Sequence, residues 1–236
     1  RITGISAKAG GTGENGNGIN VFQADNVSVS DNHIAACAFS AIRSNAGSNV
    51  RIAGNHCLES GETAIYSEFG FEGALVSGNL VDGAANGISV VNFDHGGRLA
   101  SITGNIIRNL SLSGPYDNGE SHFGIGLSAE ADTVVSNNVI ENAPRFAMAL
   151  GWGPYLRNLV VSGNMVRNAP VGCAVSVAPG AGDCVIADNL FSNTSGAAIA
   201  GYRWLEQATG DLVAGDGPAP AHVTLSGNRK SNDANG

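Results

Sequence analysis

The sequence predicts an all-β solenoid: a single-stranded parallel β-helix of about eight coils with three short strands in each. Three observations carry this. An Asn-ended strand recurs eight times, as Val27–Asn32, Val50–Asn55, Ala74–Asn79 and Ala100–Asn105, then ending at Asn138, Asn164, Asn189 and Asn228. Successive asparagines lie 23, 24, 26, 33, 26, 25 and 39 residues apart, and a repeat in the twenties marks stacked structural units. No helical periodicity interrupts the alternation.

A first strand in each coil is read from a small–apolar–variable–packing motif. It appears at Gly18–Val21, Ala41–Ser44, Ala64–Ser67, Gly87–Val90, Gly124–Leu127, Ala147–Leu150, Ala174–Val177 and Ala198–Gly201. The second strand ends in the asparagine. A third short strand follows, placing Ile34, Cys57, Val81, Ile107, Ile140, Val166 and Phe191 in one column. Period-two alternation sends one set of side chains to the core and the other to solvent. The asparagine follows Gly, Asp or Asn, residues that tolerate positive φ at a corner. Stacked about 4.8 Å apart, the asparagines are expected to bond one another's amides and the corner backbone, as a structural ladder and not a site.

The chain has 236 residues, 43% of them hydrophobic and 14% charged, with a net charge of −8. This suffices for one continuous core, so residues 1–236 are read as a single β-helix domain, a segment of a longer chain whose earlier coils lie upstream. The acidic balance argues against nucleic acid, which needs a basic footprint. No run reaches transmembrane length, so membrane insertion is not expected, and no signal peptide is seen. The four cysteines show no CxxC spacing for zinc and are read as buried apolar thiols.

The coils differ in their insertions. Asn92–Arg98, Trp152–Tyr155 and a long excursion opening at Tyr202–Glu206 follow first strands, while Ser111–His122 precedes one. These insertions flank the first-strand face on both edges, and repeat proteins place binding surfaces in such loops. Between them the outward positions are read as Asn20, Arg43, Tyr66, Ser89, Gly126, Ala149, Ser176 and Ala200, all small from Ser89 onward. Aromatic walls beside a floor of small residues describe a groove for a flat, hydroxyl-rich ligand. A polysaccharide or oligosaccharide fits best, with Asp94, Trp152, Tyr155, Tyr202 and Trp204 as binding residues. Loops that merely seal the groove or meet a partner subunit are the alternative, and an oligomer is compatible with it.

Candidate chemistry gathers at the large-residue end of that floor. Arg43 should lie beneath Tyr66 and Asn45 beneath Glu68, one coil apart, and neighbouring side chains on one face sit about 5 Å apart. An arginine beside a tyrosine could lower the phenol's pKa and neutralise a substrate carboxylate, which would suit β-elimination or epimerisation of a uronate. An ordinary Arg–Glu surface pair is the alternative. The loops add His95, Arg98 and Asp94 on one wall and Asp117, Glu120 and His122 on the other. Two carboxylates across a groove could hydrolyse a glycoside, and Asp and Asn clusters would also suit Ca²⁺; no other cofactor is called for. His33 and His56 follow their asparagines and should stack, but no third metal ligand accompanies them. Their column continues as Leu80, Ile106, Val139, Met165 and Leu190 and is expected to be core or partly buried.

On these SGN and GIxV repeats the chain resembles right-handed parallel β-helices of the pectate-lyase-like superfamily. More closely, it is similar to a bacterial family of twin-arginine-exported repeat proteins without an assigned function. The resemblance covers Ile2–Asn228 and implies export to the periplasm or beyond. It carries no catalytic set, because the matching residues are core and corner residues. The reading is therefore an exported carbohydrate-active or carbohydrate-binding solenoid of lyase, epimerase or hydrolase type. Arg43, Tyr66, Glu68, His95 and His122 are the catalytic candidates, with Tyr66 or a histidine as base. The rival is a non-catalytic structural or adhesive solenoid that binds a protein partner.

Overall fold

A computed structural model describes residues 1–7, 13, 15–92, 98–116 and 123–231. Parallel strands wind into two long sheets around one core. The second strands form an eight-stranded sheet of their own, from Ser28–Ser30 through Val50–Ala53, Glu72–Ser77, Arg98–Thr103, Thr133–Ser136, Leu159–Ser162 and Cys184–Ala187 to Val223–Ser226. First and third strands share the other sheet. In His56–Glu68 and Leu80–Val91 they fuse into one strand, with a register shift between Ser60 and Thr63 where the chain bends. The predicted corner between third and first strands is thus a bend in these coils, because the ladder continues through it.

The core is built of stacked columns. In the second strands Val29, Ile52, Val76, Ile102, Val135, Val161 and Ile186 align, and in the third Ile34, Cys57, Val81, Ile107, Ile140, Val166 and Phe191. Each member of the second set is fully buried. The four cysteines are free and buried, as expected.

The first-strand register corrects the sequence reading in two coils. The central column runs Ile42, Ile65, Ile88, Leu127, Met148, Cys173 and Ile199, so Leu127 and Cys173 stand where Ile125 and Val175 were expected. The outward column is accordingly Asn20, Arg43, Tyr66, Ser89, Ser128, Ala149, Ala174 and Ala200, with Ser128 and Ala174 replacing Gly126 and Ser176. A two-residue slip preserves which face each side chain takes, so the floor remains small after Tyr66.

The asparagine ladder forms as expected. Each Nδ2 donates to the Oδ1 of the asparagine one coil on, at 2.9–3.0 Å for all seven steps from Asn32 to Asn228. The backbone N–H of each also donates to that Oδ1, and Nδ2 reaches a strand carbonyl, as Asn138 does to Ile102 O at 3.0 Å. The residue before each asparagine is left-handed, from Asp31 at φ 59° to Gly227 at φ 63°. A second ladder, not expected from the sequence, stands on the surface: Asn193, Asn168 and Asn142 each donate to the preceding member, ending on Asn109 and Asp82.

The His33 column is a correction. Its members face outward on the strand opposite to Ile34, with Ile106, Met165 and Leu190 exposed and Leu80 and Val139 half-buried. No bulge turns it inward, because the first residue after the corner keeps the parity opposite to the core column. Among the described residues no helix is long and apolar enough to cross a membrane.

The long excursion after Ile199–Arg203 closes one edge. Glu206–Gln207 pairs antiparallel with that strand, and Leu212 N donates to Ile199 O at 2.9 Å. Asp211 accepts from the backbone N–H of Ala198 and Val213 and pairs with Lys230 at 3.0 Å. Lys230 also takes the place after Phe191 in its core column, ending it.

Asn138→Ala should lower stability by at least about 2 kcal/mol, since it strips partners from several buried polar groups at about 1–3 kcal/mol each. Asn168→Ala, on the exposed ladder, should stay within about 0.5 kcal/mol. Denaturant midpoints of the two variants check the contrast.

Candidate functional site

The first-strand face carries a cleft of about 220 Å³. Its floor is Tyr66, Ser89, Ser128, Ala149 and Ala174, and its lining also takes in Asn86, Glu130 and Ser176. Aromatic residues close one end. Trp152 and Trp204 meet edge-to-face with ring centroids 5.2 Å apart, and Phe146 and Tyr202 do the same at 5.0 Å. This geometry suits the ring quadrupoles. Ser176 Oγ donates to Gly153 O at 2.7 Å and anchors the Trp152 loop to the floor. Gly153 sits at φ 57° under the Trp204 ring, where a Cβ would lie within 2.3 Å of the indole. Only glycine fits both demands.

The structure brings Trp152, Tyr202, Trp204 and Tyr66 to one cleft. Tyr155 goes elsewhere: it lines a separate hollow with Asn92, Pro154 and Arg157. Trp152 is extended at φ −136°, ψ 110°, ahead of the 3₁₀ turn Gly153–Tyr155, so the two side chains leave the loop in different directions. Asp94, His95, Asp117, Glu120 and His122 lie outside the described residues. Arg98 turns away to the second-strand sheet, pairing with Glu72 at 2.6 Å.

Beyond Tyr66 the polar cluster assembles in the expected register, Arg43 beside Tyr66 and Asn45 beside Glu68. Arg43 Nε donates to Glu68 Oε1 at 2.6 Å, and Asn45 Nδ2 to the same oxygen at 3.0 Å. The guanidinium carbon lies 5.3 Å from the Tyr66 ring centre. A second carboxylate, missed in the sequence, joins them. Glu62 Oε2 lies 3.5 Å from Arg43, and Glu62 Oε1 accepts from the Tyr116 hydroxyl at 2.7 Å. Glu62 and Glu68 are 4% and 2% exposed at their side chains, so this is a buried network and not a surface pair.

Two carboxylates share one arginine, and the electrostatics follow. Burial pushes the Glu62 carboxyl above its usual range, against the pull of Tyr116 and Arg43. Tyr66 is pushed far up by burial first and then by Glu68 and Glu62, which together outweigh Arg43. The expected lowering of the phenol is therefore reversed. The neutral phenol is thereby favoured over the phenolate. Arg43 is engaged by its own carboxylates, which opposes its service as a neutraliser of substrate charge.

Glu130 was also missed. It lines the cleft, is 5% exposed, and its Oε2 accepts from Asn92 N at 3.0 Å. Its signal in the sequence was a carboxylate directly after the buried end of the strand Ile125–Ala129. For Glu62 the signal was an acid beside the wholly buried run Thr63–Ile65.

A family profile described as "Periplasmic copper-binding protein (NosD)" matches residues 3–215. Comparison with curated proteins finds no match. The described donor set does not fit copper. Among the described residues no three His, Cys, Asp or Glu side chains converge as a metal site. His33 and His56 offer two rings with centroids 6.3 Å apart. The thiols are poor donors: burial raises Cys37 and Cys173 and pushes Cys57 and Cys184 up to about 12, whereas copper takes thiolate.

The two glutamates should respond oppositely to neutralisation. A carboxyl whose folded pKa is raised favours folding below its unfolded pKa and loses that contribution as pH rises through the folded value. Glu62→Gln, keeping the Tyr116 bond and leaving Arg43 with Glu68, should match or exceed the native melting temperature at pH 7 and flatten its fall from acid to neutral pH. Glu68→Gln removes the closest partner of Arg43 and should cost about 3 kcal/mol. Thermal unfolding between pH 4 and pH 8 tests both.

Proposed function

The chain belongs to the NosD family of periplasmic proteins, and from that exported β-helix we propose a protein that binds a neutral oligosaccharide along its first-strand groove. The observation that carries the reading is the pairing of a small-residue floor with two edge-to-face aromatic pairs at one end. Sugar rings present apolar faces to aromatic rings and hydroxyls to fixed polar groups. Asn86, Ser89, Ser128 and Glu130 supply such groups along the floor.

Charge narrows the ligand. Glu130 is the one charged residue of the described cleft lining, and Arg43 beyond Tyr66 is already held by Glu62 and Glu68. A polyuronate would meet negative potential here, whereas a neutral glycan would not. Tyr66 as a neutral phenol speaks against a tyrosine-based lyase.

A panel of neutral, amino and uronate oligosaccharides, followed by calorimetry and tryptophan fluorescence, tests the reading. Neutral glycans should bind and shift the emission of Trp152 and Trp204. Trp204→Ala should weaken binding about tenfold, since an aromatic contact worth about 1.4 kcal/mol is a factor of ten. Tyr66→Phe should change affinity less than threefold. Preference for a uronate, or silence across the panel, would overturn the assignment.

A further inference from the structure

The second-strand sheet turns a flat, almost uncharged face to solvent. One outward column runs Ser28, Arg51, Leu75, Ser101, Val134, Val160, Val185 and Thr224. Leu75, Val134, Val160 and Val185 are 54%, 43%, 44% and 37% exposed. The next outward column is small and largely hydroxylic: Ser30, Ala53, Ser77, Thr103, Ser136, Ser162, Ala187 and Ser226. Soluble monomers seldom leave such an aliphatic stripe, interrupted once at Ser101, open to water.

The two margins of this face differ. Along the side where the strands begin runs a rail of alternating charge: Glu72 and Arg98 pair at 2.6 Å, and Asp132 and Arg157 at 2.6 Å. Asp132 O accepts from Ala100 N at 3.3 Å, which sets the two pairs side by side in one row. The opposite margin, past the asparagine corner, is apolar, with Ile106, Met165 and Leu190 exposed.

We propose that this face is the contact surface of a symmetric dimer whose two-fold axis runs parallel to the strands, so that the solenoids lie antiparallel. Two considerations select the second copy and its orientation. A two-fold along the solenoid axis would set the charged rail of one copy on the apolar margin of the other. A two-fold along the strands sets rail on rail and apolar margin on apolar margin. With that axis midway along the eight strands, the third coil faces the sixth and the fourth faces the fifth. Glu72 then opposes Arg157 of the other copy and Arg98 opposes Asp132, unlike charges at the four central rungs. The same placement overlaps all eight strands, so full contact and charge matching coincide in one arrangement. Eight strands about 4.8 Å apart and about five residues wide cover on the order of 600 Å² per copy, near the lower end of specific interfaces. Isologous contact of this kind closes on itself and does not propagate.

Sedimentation equilibrium from 5 to 500 µM should show a twofold rise in mass. Val134→Glu should hold the monomer mass at every concentration, with an unchanged melting temperature as the control for folding. Arg98→Glu should weaken association at least tenfold, and adding Asp132→Arg should restore it, because the fourth and fifth coils then again oppose unlike charges. Orientation is read from engineered thiols: Leu75→Cys mixed with Val160→Cys should crosslink between chains on oxidation, and Val160→Cys alone should not. A wild-type monomer at 500 µM, a dimer indifferent to Val134→Glu, or crosslinking of Val160→Cys with itself would each overturn the proposal.

Discussion

Satisfying the buried corner amide is the constraint on which the rest of this structure depends. A solenoid must turn the chain sharply between strands, and each turn would bury backbone polar groups beside an apolar core. The asparagine answers this at every coil. Its Oδ1 accepts from the backbone and side chain of the previous coil's asparagine, and its Nδ2 donates forward and to a strand carbonyl. No donor is wasted, so the column sits fully buried from Asn55 to Asn189 at little cost. Because each bond crosses from one coil to the next, the ladder also sets the stacking register, and the core columns follow from it.

A uniform scaffold of this kind leaves function to its exceptions. The described loops carrying Trp152 and Trp204 border the first-strand cleft, whose floor changes from large polar to small residues at Ser89. The polar end is tied together internally: Arg43, Asn45 and Tyr116 bond Glu62 and Glu68, and the Arg43 guanidinium lies over the Tyr66 ring. It forms a buried network behind the cleft. Membership of a family described as copper-binding does not alter this, since the described donors form pairs and bury their thiols.

Much of this was legible in the residues, for physical reasons. Strand periodicity is two, so one asparagine per coil fixes the face of every neighbour, and the second- and third-strand columns match the expected ones. The first-strand slip arose where two apolar residues of equal parity compete: Ile125 and Leu127 in one coil, Cys173 and Val175 in another. Parity alone cannot separate them; the neighbouring coil decides. The Glu62–Tyr116 bond spans 54 residues and lies outside any repeat, so no periodic signal announces it. The rise of the Tyr66 phenol comes first from its burial, which one sequence position beside Arg43 does not disclose.

The strand Glu206–Gln207 carries a consequence of its own. Running against its neighbour, it occupies the hydrogen-bonding edge that a further parallel rung would need, as guarded sheet margins do elsewhere. In the first-strand column rungs can therefore be gained or lost by duplication or deletion only on the near side of Ile199, where each newcomer finds parallel neighbours above and below. That column is free to lengthen from within while its far edge stays sealed.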